Sequence, residues 1–100
     1  TKERLNYNYE SVKGVFENYW EIPRSESFEV SQKLVNLSAE ISPITILEQM
    51  QNYILMVLKS NPTQTKFIDD AKAIEKAKTE FNIGMKPEII FDELCLKLIH

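Results

Sequence analysis

Residues 67–100 read FIDDAKAIEKAKTEFNIGMKPEIIFDELCLKLIH, and this stretch decides the fold. Its first half sets Phe67, Ile68, Ala71, Ile74, Ala77 and Phe81 three and four residues apart, the interval at which side chains share one face of an α-helix. Charged residues fill the other face. Asn82 and Gly84 close that helix, and Pro87 opens another, because a residue without an N–H is tolerated in a first turn where that donor has no partner. From Ile89 onward, Ile90, Phe91, Leu94, Cys95, Leu98 and Ile99 supply a second, broader apolar face. A helical hairpin is predicted, with the upstream chain built to pack on it.

Upstream, Val12, Val15, Phe16, Tyr19 and Trp20 recur at helical spacing until Pro23 stops them, after a polar start over residues 1–8 that is expected to fray. Gly14 costs about 1 kcal/mol in a helix interior relative to Ala, so a close approach to a neighbouring helix is expected there. Trp20 reads as a core or helix-crossing anchor. Ser25 or Ser27 can cap a second helix, whose stripe Val30, Leu34, Leu37 and Ile41 is expected to pack on the first and third. Ser42-Pro43 has the spelling of an N-cap and first helical residue, with Thr45 to Glu48 a second capping-box candidate. The run Tyr53 to Leu58 is apolar almost all round, as a helix buried in the middle of a bundle requires.

These segments predict an all-α, single-domain bundle of about five helices near residues 8–21, 26–40, 43–60, 63–82 and 87–99, sequence neighbours packing antiparallel across short turns. Composition agrees. One hundred residues can hide about 60–65% of the unfolded surface, and the 43% hydrophobic, 27% charged mixture is that of a globular chain. Two glycines and four prolines are too few for the turns of an all-β fold.

Charge and cysteine usage narrow the function classes. The net charge of −3 comes from residues 1–50, which hold five Lys/Arg against eight Asp/Glu, whereas residues 51–100 hold seven of each. No basic stripe is present, so direct nucleic-acid binding is not expected. No membrane-spanning run is present, residues 1–10 are too polar for a signal peptide to be expected there, and a lone cysteine fits the expectation of a cytoplasmic protein. The chain opens on Thr1 without an initiator Met, and a domain of a longer protein is expected.

The pattern Ala73-Ile74, Ala77, Phe81-Asn82, then Pro87, Ile89-Ile90, Asp92-Glu93-Leu94, Leu96 and Leu98 resembles the end of the C-terminal domain of bacterial DNA polymerase III clamp-loader subunits, delta-prime most of all. It covers about a third of the chain, and Met85-Lys86-Pro87 departs from the more polar lead-in of that family. The resemblance implies a non-catalytic oligomerisation, or collar, domain of an AAA+-type subunit. Its partners would be the C-terminal domains of the other clamp-loader subunits, which hold the ATP-driven parts together during sliding-clamp loading in DNA replication. The alternative is a free-standing helical adaptor unrelated to replication; a substrate-binding enzyme domain ranks third.

Individual motifs carry little chemistry. Ile89-Ile90-Phe91-Asp92-Glu93 has the spelling of a Walker B strand, but no phosphate loop precedes it, and the following leucines place Asp92 and Glu93 on the outside of a helix. Asp69 and Asp70 diverge by about 100° on a helix and read as a solvated face, with Lys66–Asp70, Asp69–Lys72 and Lys76–Glu80 at pairing distance. His100, the only histidine, cannot build a triad or a multi-histidine metal site. Cys95 reads as a buried, inert thiol. No catalytic, cofactor-binding or metal-ligating residue is assigned. Ile90, Phe91, Leu94 and Leu98 are not expected to share one core, and Ile89, Ile90, Leu96 and Ile99 are the candidate subunit interface.

Overall fold

Five helices pack around one core in a computed structural model that describes the backbone of residues 2–99 and the side chains of residues 9–99. They are α1 (Lys2–Phe16), α2 (Ser27–Leu37), α3 (Pro43–Ser60), α4 (Thr65–Asn82) and α5 (Pro87–Leu98), with 3-10 turns at Tyr19–Glu21 and Arg24–Glu26. The all-α architecture is as the sequence predicts. His100 lies outside the described residues.

The helix ends follow from local chemistry. Pro43 and Pro87 each stand in a first turn, as expected, and the backbone N–H of Ile46 reaches the Ser42 carbonyl. The α4 terminus is a Schellman motif: Met85 N–H donates to the Glu80 carbonyl and Gly84 N–H to that of Phe81, each at 3.1 Å, around a left-handed Gly84 at φ +95°. Neither Ser25 nor Ser27 caps α2; Glu26 holds that position and Ser27 is already helical and buried. Thr45 is likewise inside α3.

The first helix differs most from expectation. It begins at Lys2, within the segment expected to fray, and ends at Phe16 instead of continuing to residue 21. Asn18 adopts the left-handed conformation, φ 55°, which Asn tolerates better than most residues, and its N–H donates to Tyr53 Oη on α3 at 2.9 Å. The break turns Tyr19 and Trp20 inward. Phe16 stacks on Tyr19 with ring centres 4.4 Å apart, while Trp20 meets Phe67 edge-on at 5.4 Å and lies nearly parallel to Tyr53 at 6.4 Å. Trp20 is an anchor, as read from the sequence, but one carried by a 3-10 turn.

Packing partners also depart from chain order. The main pairs are α2 with α5 and α3 with α4, joined by α1 on α3, α4 on α5 and α1 on α2. The α2 stripe therefore rests on α5 and α1, not on α3. Its buried face alternates Val30 and Leu34 with Ser27 and Ser31, small residues that let α5 come close. Helix α3 is one-sided: Ile46, Leu47, Met50, Tyr53 and Ile54 are buried, whereas Leu55 and Met56 are each 48% exposed, which corrects its expected central position. Gly14 makes no close approach, since a Cβ there would have nothing within 4 Å.

Candidate functional site

Helix α5 lies against both α2 and α4, and that position decides which of its side chains are free. At 100° per residue, Ile90, Phe91, Leu94 and Leu98 fall within an arc of about 100°. All four are buried, with Cys95, in the chain's own core, so the expectation that they could not share it is overturned. Ile99, just beyond the helix, is also fully buried. Of the four candidate interface residues, Ile90 and Ile99 are thus unavailable to another chain. Ile89 and Leu96, two turns apart on the opposite side, stay 45% and 52% exposed.

Beside Leu96 a groove runs between α2 and α5, about 180 Å³ in volume and lined by Ser27, Phe28, Ser31, Asp92 and Leu96. Phe28 stands at its rim, 64% exposed. Ser31 Oγ, fully buried, donates a hydrogen bond to Asp92 Oδ1 at its floor. Asp92 is half-buried rather than on the outside of the helix, while its neighbour Glu93 is exposed. Phe28 and Ser31 escaped the sequence reading. Phe28 was legible only as an apolar residue off the stripe of Val30 and Leu34, and nothing in the order of residues brings α2 to α5.

A second, larger depression between α4 and α5, about 430 Å³ in volume, is lined by Thr65, Lys66, Asp69, Asp70, Ala73 and Lys97. Two of its four charges, Lys66 and Asp70, pair with each other. Asp70 is 5% exposed, against its expected place on a solvated face. It accepts from Tyr19 Oη and pairs with Lys66 Nζ at 3.1 Å; the same ammonium lies 5.2 Å from the Tyr19 ring centre and 3.4 Å from the Leu98 carbonyl. Burial, then the hydrogen bond to Asp70, holds the Tyr19 phenol well above its ordinary value. Among the described residues, Lys66–Asp70 is the one expected ion pair that forms. Lys78 instead lies 3.6 Å from Glu75 and donates to Gln51 on α3 at 2.6 Å.

Cys95 is fully buried, and burial with the neighbouring Asp92 charge pushes its thiol up to about 12, the opposite of what a nucleophile needs. Among the described residues, no group of three or more His, Cys, Asp or Glu is placed to hold a metal ion, and no helix is long and apolar enough to cross a membrane. No family model, curated protein or solved structure matches the chain.

Proposed function

We propose that this domain is a non-catalytic association module that binds another protein chain through its α2–α5 face. The observation that carries the reading is the groove beside Leu96, rimmed by Phe28, with both apolar side chains more than half exposed after the core is complete. Large apolar groups collected on one face, where each remains in water, mark a contact surface more than isolated ones do. Exposed Ile89, seven residues before Leu96 on the same side of α5, extends that face by two turns.

The resemblance of residues 73–98 to clamp-loader C-terminal domains names one set of partners: sibling subunits of a DNA polymerase III clamp loader, with this chain in the delta-prime place. That extension rests on the motif of α4 and α5 alone. A free-standing adaptor is the second reading, favoured by the shape of the surface, since a groove between two helices receives an inserted side chain better than it forms a flat ring contact.

Sedimentation of the domain, alone and mixed with purified clamp-loader C-terminal domains, tests both. A heavier complex that Leu96→Glu abolishes supports the loader assignment. No complex with any loader domain removes that assignment and leaves the adaptor. Capture of partner chains that is indifferent to Phe28→Ala and Leu96→Glu removes the α2–α5 face from either.

A further inference from the structure

Any chain that covers Phe28 and Leu96 also covers Asp92, because the three line one groove. Oδ1 of that carboxylate accepts from Ser31, and Asp92 has no ion-pair partner among the described residues. Sealing a carboxylate under apolar groups without a matching donor is strongly unfavourable, as it is when one partner of a buried pair is removed. An occupant made only of apolar side chains is therefore disfavoured, and an acidic one more so. Ser27, 7% exposed and on the groove wall, makes no side-chain hydrogen bond among the described residues and presents a second acceptor.

We propose that the groove takes an arginine side chain of a partner protein. The proposal rests on the association reading and specifies its partner's chemistry. Arginine fits each feature in turn. Its methylene stem packs against Leu96, its guanidinium plane stacks near the exposed ring of Phe28, and its forked N–H donors meet the open oxygen of Asp92 and the hydroxyl of Ser27. A volume of about 180 Å³ suits one long side chain and not the apolar face of a whole helix. Lysine, a point charge on a flexible stem, satisfies the carboxylate but lacks the planar fork that meets Asp92 and Ser27 together while stacking on Phe28.

The test uses three acetylated pentapeptide amides, Ala-Leu-Arg-Leu-Ala and its versions with central norleucine or glutamate, titrated into the isotope-labelled domain while backbone amide shifts are followed. The arginine peptide is expected to move the amides of residues 27–31 and 92–96 and to bind about tenfold more tightly than the norleucine peptide, the ratio one charge-assisted hydrogen bond supplies. Asp92→Asn should bring the two within about threefold of each other, while Phe28→Ala weakens both. Equal binding of the arginine and norleucine peptides, or a preference that survives Asp92→Asn, overturns the arginine proposal and leaves the apolar contact face intact. Failure of all three peptides to shift the groove amides overturns the proposal and the α2–α5 face together. Unchanged helical circular dichroism of the variants shows that they remain folded.

Discussion

The phenol of Tyr19 donates a hydrogen bond to the carboxylate of Asp70 across 51 positions of sequence, tying the 3-10 turn after α1 to the second turn of α4. Lys66 completes the contact from one turn earlier on α4. Both bonded groups are buried, so their value lies mainly in what is left behind when one is removed. Tyr19→Phe keeps the ring in its stack with Phe16 and withdraws only the hydroxyl. A loss of about 1–3 kcal/mol in urea unfolding is expected, with Asp70→Ala costing more because it leaves the buried Tyr19 phenol without its acceptor and opens a gap in the packing. A Tyr19→Phe variant as stable as the parent would show that the hydrogen bond carries no net stability.

Alkaline pH should weaken the fold through two groups held protonated. Cys95 is pushed up to about 12 by burial and then by the charge of Asp92, from an ordinary value of 9.0. Tyr19 is raised above its ordinary 10.0. For a raised group the folded state keeps its proton while the unfolded chain gives it up. Stability is therefore intact below about pH 9 and declines as pH climbs from there toward 12, each group adding at most about 1.4 kcal/mol per pH unit. Urea midpoints between pH 8 and 11 should fall, and Cys95→Ala should flatten the first part of that fall. A Cys95→Ala profile with the parent's slope would remove the thiol as its cause.

The two glycines should respond oppositely to alanine. Gly14 is exposed in α1 with open space where a Cβ would stand, so Gly14→Ala should stabilise by about 1 kcal/mol, or roughly 4–8 °C in melting temperature. Gly84 sits at φ +95° in the Schellman turn, and Gly84→Ala should cost about 1–2 kcal/mol. Thermal melts of the pair, run side by side, check both signs.

Helix α5 should divide cleanly by face. Phe91→Ala empties a fully buried site and should cost about 3–5 kcal/mol. Leu96→Ala, on a side chain 52% exposed, should change stability by about 0.5 kcal/mol or less while weakening association. Chemical denaturation against partner capture separates the two effects. A large stability loss from Leu96→Ala would mean that its groove belongs to the fold rather than to a contact.

Four of the five helices lie close to where periodicity and breakers put them, because those signals act within a few residues: Pro43 and Pro87 fix starts, and Gly84 fixes a stop through its own backbone freedom. The first helix failed for a reason no local pattern contains. Val12, Phe16 and Tyr19 keep a helical interval, yet the helix stops at Phe16 because the Tyr53 hydroxyl, 35 residues away, satisfies the Asn18 N–H in a left-handed turn. Asp70 looked solvated for the same kind of reason: its partner Tyr19 is distant in sequence.

By itself, the order of residues determined that this chain is a helical bundle, where four of its five helices lie and that Cys95 is buried, since spacing and turn chemistry are short-range properties. Which apolar residues remain outside was decided only by tertiary structure. Seating α5 against α2 and α4 hid Ile90 and Ile99, left Ile89 and Leu96 exposed, and brought Phe28 and Ser31 to Asp92. Exposure depends on what packs alongside, and no interval along a single helix records its neighbours.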